Sequence, residues 1–505
     1  MKSEARVEAA APARSLTTRM GTRPCLLGID LGTGSTKAVV LDQAGTQLGA
    51  ASAPVHLSEP RRGWVESDPE DWWRSAVCAV KEALTGVKVP IGSIGLSGQM
   101  HGVVLSGPYG EPLRPAIISL DRRAQADLEA YRALPPDVLS VLGNPLVPGM
   151  AGPLLHWLAS HEPEVLRRAT WALQPKDWLR LRLVGKVGSE PCDASGTLLF
   201  DLAANDWALP VVTALGLPPS LLAPLGEAAT TAGPLAMRAA NELGLPAGTP
   251  VAFGASDTAA ALVGTGLSTA GPIQLTVGSA AQVVTLRHTP DSDPGRRYHV
   301  FAAAEPDLWY ALAAVQIVGV ALSWVLKTFC GTWEEAYQLL YAAPVGARGV
   351  LFVPHLAGAR SPSMDSTATA GFSGLELAHD RADVFRAVFE GVAFSIAEAA
   401  ESLPEFEAAS SMYLAGGGTL RVTWRQLLCD VLGKTLLVVD DPNASARGAA
   451  LLGGQAAGIQ GSPGQGVQWT EKVEPDPMAH ERLAPTFARW KGAAARTSSA
   501  PGLSA

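Results

Sequence analysis

Two short apolar runs joined by a glycine-rich turn stand near the start of the sequence. Residues 26–30 form the first run, residues 31–35 the turn, and residues 36–41 the second run. Apolar runs bounded by turn residues predict two strands joined by a tight turn. Another turn at 43–45 leads to a third predicted strand at 46–55.

A helix and a fourth strand are predicted next. Ser67 and Glu70 have the spacing of a capping box, and a proline stands between them, so the helix is predicted to begin at Ser67. Apolar residues from Trp72 to Leu84 recur at helical spacing. A strand at 93–98 follows, and the order β-β-β-α-β predicts an α/β domain.

The same pattern returns in the second part of the sequence. A turn at 278–280 joins apolar runs at 273–277 and 283–286, as the turn at 31–35 joins the first two runs. Each part also has a later strand that ends in glycine before polar residues, at 94–98 and 413–418. We infer two related α/β halves that face each other. The alternative is a chance similarity, because such hairpins are common.

These patterns divide the sequence into four segments. The first half spans residues 24–253, the second half residues 254–485, and residues 486–505 form a tail. Residues 1–23, rich in Ala, Arg, Ser and Thr, lack the apolar stretch of a secretory signal and are predicted to be a disordered leader. Met20 is an alternative start of the protein.

Composition and charge exclude several classes of protein. Hydrophobic residues make up 47% of the chain and charged residues 17%, which excludes a disordered chain. The net charge of -8 argues against a nucleic-acid partner, and no apolar run is long enough for a membrane span. None of the five cysteines forms a Cys-x-x-Cys pair, so we expect reduced thiols in a cytoplasmic protein.

The two glycine turns are candidate phosphate sites. Gly32, Thr33 and Gly34 form the first turn, and Gly278 and Ser279 belong to the second. Successive backbone N–H groups in such turns bind anions, and two turns could hold a polyphosphate from both sides. The alternative is a pair of ordinary β-turns.

Two aspartates are candidates for phosphoryl-transfer chemistry. Asp30 ends the first strand, where the second half has Thr276, and a single carboxylate there would anchor Mg²⁺. Asp257 begins an apolar helix and would act as a general base toward an attacking hydroxyl. The alternatives are a solvated Asp30 and an Asp257 that only caps its helix. A helix N-terminus lowers a carboxylate pKa, which weakens the base, although positioning dominates phosphoryl transfer.

Three further groups stand where α/β proteins bind ligands. Gly416 and Gly417 belong to a triple glycine between a strand and the predicted helix Val422–Leu432, and a nucleotide could approach this backbone closely. Met100 and His101 follow a strand of the first half, and Asp121 belongs to a polar cluster after another. The alternatives are a flexible turn for the triple glycine, an ordinary core residue for His101 and a surface charge run for the cluster that contains Asp121.

The sequence resembles the FGGY carbohydrate kinases, and within them the xylulokinase group, over residues 26–458. The segments that carry the resemblance lie at 28–33, 68–73, 98–102, 174–180, 193–197, 254–260, 371–375, 389–392 and 416–418. The resemblance implies two actin-like (ribonuclease H-like) ATPase domains that flank a cleft, with the sugar on the first domain and ATP on the second.

The resemblance also implies roles for particular residues. Met100 and His101 match the residues that contact a ketopentose, and Asp257 matches the catalytic base. The remaining matches are to phosphate and adenosine sites: Asp30 and Thr33 in the first loop, Gly278 and Ser279 in the second, and Gly416 and Gly417 on the adenosine side. We expect Lys37, which follows the first turn, to lie near enough to the phosphates to add positive charge.

The sequence departs from the family pattern mainly on the sugar side. Ser119 and Leu120 stand where xylulokinases have Trp-Asn, Thr258 stands where they have Asn, and Ala359 replaces a Glu. Because the ATP and base positions match the family, we expect transfer of the ATP γ-phosphate to a ketopentose hydroxyl, with D-xylulose giving D-xylulose 5-phosphate. Another sugar or polyol (ribulose, glycerol, gluconate), a non-kinase actin-like ATPase and a sugar sensor are the alternatives. A homodimer is one open arrangement.

Overall fold

The computed structural model describes residues 23–329, 331–419, 421–459 and 468–498. Residues 1–22 of the predicted leader, including Met20, lie outside the described residues, as do Cys330 and the last part of the predicted tail.

The first half is built on a seven-stranded sheet. Its main path runs β3-β2-β1-β6-β13-β12, and β14 pairs with the end of β6. The strands of this half are β1 (Cys25–Leu31), β2 (Ser35–Leu41), β3 (Gln47–Pro54), β4 (Ser58–Arg61), β5 (Trp64–Ser67), β6 (Ile91–Gly98), β7 (Val104–Ser106), β8 (Ala116–Ile117), β9 (Trp171–Leu173), β10 (Phe200–Asp201), β11 (Asp206–Trp207), β12 (Thr231–Pro234), β13 (Pro250–Ala252) and β14 (Ala255–Ser256).

The second half repeats this arrangement. Its seven-stranded sheet has the order β17-β18-β16-β15-β21-β22-β23. The strands are β15 (Ile273–Val277), β16 (Ala281–Arg287), β17 (His299–Ala302), β18 (Trp309–Val315), β19 (Leu351–Val353), β20 (Gly371–Ser373), β21 (Ser411–Ala415), β22 (Thr435–Val438) and β23 (Glu471–Val473).

The two sheets share the same arrangement of central strands. In each, an antiparallel hairpin (β1–β2, β15–β16) is followed by two strands parallel to its first strand (β6 and β13, β21 and β22). An antiparallel strand then closes the edge. The prediction of two related α/β halves is therefore confirmed.

Helices cover the two sheets. They are α1 (Pro69–Ala83), α2 (Leu128–Arg132), α3 (Pro136–Ser140), α4 (Ala151–His161), α5 (Pro163–Arg168), α6 (Pro175–Val184), α7 (Pro191–Ala194), α8 (Leu209–Ala214), α9 (Met237–Leu243), α10 (Asp257–Thr265), α11 (Gly319–Thr328), α12 (Trp333–Ala342), α13 (Arg381–Glu401), α14 (Glu405–Ala408), α15 (Val422–Leu432), α16 (Ala444–Ala456) and α17 (Pro477–Ser498). In the described part of the chain, none of them combines the length and hydropathy that crossing a membrane requires.

The first helix begins one residue later than the capping-box spacing predicts. Asp68 is the N-cap of α1 and accepts a hydrogen bond from the backbone N–H of Glu70. Ser67 instead ends β5, pairs with Ala116 and accepts a 2.8 Å hydrogen bond from Trp72 Nε1. The sequence also missed the hairpin β4–β5, which lies between the third predicted strand and the helix.

The boundary predicted between the second half and a tail falls inside a helix. Helix α17 runs from Pro477 to Ser498. Trp490 on this helix is fully buried, and its Nε1 donates a 2.7 Å hydrogen bond to the backbone oxygen of Phe352 in β19. Residues 486–498 are therefore packed with the second half and are not a separate tail.

Helix α16 stands between β22 and β23 of the second sheet in sequence but lies on the first sheet, where glycines allow backbone contact. A Cβ on Gly28 of β1 would lie 1.8 Å from the oxygen of Ala446, and one on Gly95 of β6 would lie 1.6 Å from that of Ala449. The other side of α16 packs in the same way on α10, where a Cβ on Gly448 would lie 1.7 Å from an α10 carbonyl oxygen. The halves are thus joined through α10 and α16.

We expect Gly95→Ala to destabilise the protein, because the new methyl group would overlap a helix carbonyl that cannot move independently. Overpacking of this kind costs about 1–3 kcal/mol of unfolding free energy. Gly371→Ala is the matched control, since a Cβ there meets nothing within 4 Å. Urea denaturation measures both. Equal urea midpoints for the two variants would contradict this account of the packing.

Candidate active site

Asp257 is the first residue of α10 and lies between the two halves. β14, which immediately precedes it, pairs with the end of β6. Asp257 Oδ1 accepts a 2.6 Å hydrogen bond from the backbone N–H of Thr258 and lies 3.2 Å from Thr258 Oγ1. The same Oγ1 lies 3.3 Å from Oε1 of Gln282, on β16 of the second sheet. Among the described residues, Asp257 Oδ2 has no hydrogen-bond donor, so it is free for a ligand.

The surroundings of Asp257 make it a stronger base than its position at a helix start would suggest. Burial and the neighbouring charge of Asp30 raise the pKa of Asp257 to about 6, while the hydrogen bonds from Thr258 oppose this shift. The expectation of a lowered pKa is therefore wrong in direction, because loss of water outweighs the helix terminus. A carboxylate with this pKa is ionised at neutral pH and well matched to accepting a proton.

Asp30 lies at the end of β1 within the electrostatic range of Asp257. Its Oδ1 accepts a 3.0 Å hydrogen bond from Ser97 on β6, and it pairs across the hairpin with Lys37. Burial raises the pKa of Asp30, and Ser97 and Lys37 oppose the shift. No group of three or more metal-ligating side chains occurs among the described residues. Mg²⁺ needs only one or two carboxylates when phosphates and waters complete its shell, so the lone carboxylate of Asp30 fits that requirement.

The first glycine turn connects the ends of β1 and β2. The backbone N–H of Gly32 is used within the turn, 3.0 Å from the oxygen of Ser35. Thr33 Oγ1 donates to Gln99 Oε1 at 3.3 Å, and a Cβ on Gly34 would meet nothing within 4 Å. Lys37 donates to the backbone oxygen of Pro442 at 3.1 Å, so it ties β2 to the segment before α16.

The second turn and the triple glycine line one cavity of about 350 Å³. Gly278, Ser279 and Gly417 all belong to its wall. Gly416, which precedes Gly417, has φ +98°, and a Cβ there would lie 2.3 Å from the backbone oxygen of Val277. Only glycine lets the end of β21 approach the end of β15 this closely.

Aromatic residues that the sequence analysis did not identify complete this cavity. Trp333 and Tyr337 on α12 stack on each other with ring centroids 6.1 Å apart and line the cavity, as does Trp424 on α15. Aromatic faces next to glycine backbone suit a flat base above a phosphate chain. The only signal in the sequence is the i, i+4 spacing of Trp333 and Tyr337, which is also typical of an ordinary helix surface.

Met100 and His101 lie together at the end of β6. His101 has φ +77°, and its Nδ1 lies 2.7 Å from the backbone oxygen of Gly196. Burial lowers the pKa of His101 to about 4, so the ring is neutral. With its Nδ1–H donated to Gly196, the ring presents Nε2 as an acceptor for a ligand hydroxyl. Met100 Sδ accepts a 3.5 Å hydrogen bond from Tyr310 Oη of the second sheet.

A buried ionic cluster holds the segment that contacts His101. Lys176 Nζ lies 2.8 Å from Asp177, 3.2 Å from Asp193 and 3.4 Å from Glu190, and these side chains are essentially inaccessible to solvent. Burial opposes the charge of Lys176, but the three carboxylates hold its pKa above the usual value. The cluster therefore fixes the chain just before Gly196.

Asp121 is held by protein partners. Its Oδ2 accepts from the backbone N–H of Val65 at 2.6 Å, and its Oδ1 from the backbone N–H of Arg123 at 2.8 Å. The guanidinium of Arg123 forms a further ion pair with it at 2.8 Å. The carboxylate of Asp121 thus anchors its loop, and contact of this residue with a sugar stays a prediction.

Two actin-like domains, a partly buried aspartate between them and a glycine-lined cavity in the second half are the features of a two-domain phosphotransferase of the sugar kinase type. The N-terminal domain of the FGGY family of carbohydrate kinases matches residues 25–264, and its C-terminal domain matches residues 274–457. The chain therefore belongs to this family, and the resemblance seen in the sequence is confirmed. It is a carbohydrate kinase, and the family implies ATP as the phosphoryl donor.

Known proteins agree with this assignment over most of the chain. The xylulose kinase of Escherichia coli K12 is 32% identical over 444 residues, which are 86% of this chain and 90% of that protein. The xylulose kinase of Bacillus subtilis is 29% identical over 86% of this chain and 88% of its own. The crystal structure of xylulose kinase from Rhodospirillum rubrum has a TM-score of 0.83 at 27% identity and covers 94% of this chain and 98% of its own.

The raised pKa of Asp257 predicts how activity depends on pH. The protonated carboxyl group cannot accept a proton, so kcat/KM for the sugar should fall about tenfold per pH unit below an apparent pKa of about 6 and level off above it. Steady-state kinetics between pH 5 and about pH 8, with circular dichroism to verify folding, measure this. An unperturbed pKa near that of an ordinary aspartate would contradict the proposed environment.

Proposed function

We propose that this kinase uses ATP and Mg²⁺ to phosphorylate the terminal hydroxyl of a ketopentose, with D-xylulose as the acceptor and D-xylulose 5-phosphate as the product. The observation that carries the proposal is the position of Asp257. The charge of Asp30 at the first turn acts on it, and its neighbour Thr258 lies 3.3 Å from Gln282 after the second turn. The similarity to xylulose kinases over more than four fifths of the chain supports the choice of sugar.

The chemistry follows from the free oxygen of Asp257. The acceptor hydroxyl gives its proton to Oδ2 as its oxygen bonds to the γ-phosphorus, and the bond from that phosphorus to the bridging oxygen of ADP breaks. The transition state of phosphoryl transfer is loose, so positioning supplies most of the rate. His101 would position the sugar through Nε2, with Met100 and Tyr310 forming the adjoining wall.

The second half would hold the nucleotide. The base would lie against Trp333 and Tyr337, and the phosphates would reach the turn at Gly278 and Ser279. Asp30 would hold Mg²⁺, through water, on the side of the first turn. Magnesium would neutralise phosphate charge, and Lys37, across the hairpin from Asp30, would add to the positive potential there. We place the enzyme in the cytoplasm, where ATP is available and where its thiols would stay reduced.

The direct test is an ADP-release assay with D-xylulose, D-ribulose, glycerol and D-gluconate. We expect the highest kcat/KM with D-xylulose and a loss of at least about a hundredfold in turnover for Asp257→Asn, with ATP affinity within a few-fold of the parent. Asn keeps the shape of the side chain and removes its capacity to accept the proton.

Asp68→Asn is the matched control for that substitution. Asp68 also stands at a helix start, where its side chain caps α1 and forms an exposed ion pair with Arg74 at 3.5 Å. Asparagine caps equally well, and an exposed ion pair contributes little to stability. This substitution should leave turnover unchanged. Near-normal activity of Asp257→Asn would reduce Asp257 to a helix cap, and ADP release that does not require any sugar would indicate an ATPase in place of a kinase.

Magnesium binding by Asp30 is tested separately. Asp30→Ala should raise the Mg²⁺ concentration needed for half-maximal turnover and reduce the maximal rate, because the only carboxylate proposed to hold the ion is removed. Sugar binding measured without ATP should be unchanged. The same magnesium dependence in variant and parent would remove Asp30 from the metal site.

A further inference from the structure

A cavity of about 270 Å³ lies between the two halves, beside the proposed sugar site. Ser119, Leu120 and Arg122 line it from the first half, and Ala359 and Arg360 line it from the second. Positions 119, 120 and 359 are among those at which the sequence departs from the xylulokinase pattern. Ser119 and Ala359 are smaller than the Trp and Glu of the xylulokinase pattern, so the cavity is wider at these positions. Its charged side chains then determine which ligands it can bind.

Arg360 has no protein partner in this cavity. Its side chain is partly buried, yet no described residue accepts a hydrogen bond from its guanidinium or lies within ion-pair distance of it. Burial and the nearby charge of Arg122 lower the pKa of Arg360. Arg122, in turn, spans the cleft and donates to the backbone oxygen of Ala357 at 2.9 Å. Two cations thus face each other across the halves.

The carboxylates in the cavity wall are committed elsewhere. Asp121 is bonded to Arg123 and to backbone N–H groups. Asp365 Oδ1 accepts from the backbone N–H and the hydroxyl of Thr367, at 2.8 and 2.7 Å. The third cation of the wall, Arg132, pairs with Glu129. The uncompensated charge in the cavity is therefore positive and is centred on Arg360.

The guanidinium of Arg360 opens onto the cavity without a protein acceptor, and its planar set of N–H groups matches a carboxylate or a phosphate. We propose that this cavity binds the anionic group, carboxylate or phosphate, of a small polyhydroxylated molecule between Arg122 of the first half and Arg360 of the second. D-xylulose is uncharged, so this ligand lies beyond the proposed function and does not depend on it. An anion held this way would bridge the two halves.

The cavity adjoins the sugar site, because the charge of Arg360 also acts on His101 and His299. The anionic group therefore has two sources. It is either the far end of a second kind of acceptor, an aldonate, whose hydroxyl reaches Asp257, or the phosphate of a separate sugar phosphate. Both sources would bind through the same arginines. Only the aldonate would be phosphorylated, whereas the separate sugar phosphate would bind without reacting.

Calorimetric titration of the full-length protein with D-gluconate, D-glucitol and inorganic phosphate tests the binding. D-Glucitol has the same carbon chain as D-gluconate without the charge. We expect D-gluconate to bind at least about tenfold more tightly than D-glucitol, and Arg360→Gln to weaken D-gluconate and phosphate about tenfold to a hundredfold. Arg360→Lys, which keeps the charge, should lose less.

Arg238→Gln is the matched control, because Arg238 is an exposed arginine paired with Glu242 at 3.3 Å on α9. It should leave all three affinities unchanged. Circular dichroism and D-xylulose turnover of each variant separate loss of the site from loss of the fold. Binding that depends on Arg360 in a protein that does not phosphorylate D-xylulose would support the anion site and contradict only the proposed function.

A kinase assay with D-gluconate as acceptor distinguishes the two sources. Phosphorylation that falls in Arg360→Gln would assign the anion to the acceptor, whereas binding without phosphorylation would assign it to a separate ligand. The proposal is overturned if neither D-gluconate nor phosphate binds below about 10 mM, or if Arg360→Gln binds both as the parent does.

Discussion

Backbone contact between helix α16 and the first sheet is the constraint on which the rest of this structure depends. Gly28, Gly95 and Gly448 each stand where a single methyl group would overlap a carbonyl oxygen of the neighbouring element. Carbonyl groups inside a helix cannot move individually, so these positions admit little variation. The contact also makes the two halves one unit, since α16 comes from the second half of the sequence and lies on the sheet of the first.

The position of Asp257 follows from this packing. Helix α10 packs on α16 through further glycine contacts, and Asp257 is its first residue. Ser445 of α16 also donates to the backbone oxygen of Asp257 at 3.1 Å. Asp30 lies on β1, and helix α16 packs against this strand at Gly28. The two carboxylates are thus positioned by a rigid scaffold, and their mutual repulsion, added to burial, gives Asp257 its raised pKa.

Charge is distributed unequally over the two ends of the sugar region. At one end, the buried cations Lys176 and Arg180 face three carboxylates, of which Asp193 has a pKa raised well above its usual value by burial. The positive and negative charges of this cluster are therefore close to balance, and the cluster supports the loop that contacts His101. At the other end, Arg122 and Arg360 face a cavity in which every carboxylate already has a partner. The same family scaffold therefore combines a balanced cluster, which stabilises the loop, with an unbalanced pair, which selects a ligand.

The sequence by itself determined the two glycine hairpins, the helix Val422–Leu432 and the position of Asp257 at a helix start, because turn chemistry and apolar periodicity are local. It also predicted the pairing of two similar halves from their repeated pattern. Only the tertiary structure decided that burial outweighs the helix terminus at Asp257, that Arg123 occupies the carboxylate of Asp121, and that Trp333 and Tyr337 stand beside Gly417. These features arise between residues far apart in the chain, where exclusion of water and the charges of distant neighbours set the energies, and local patterns contain no information about either.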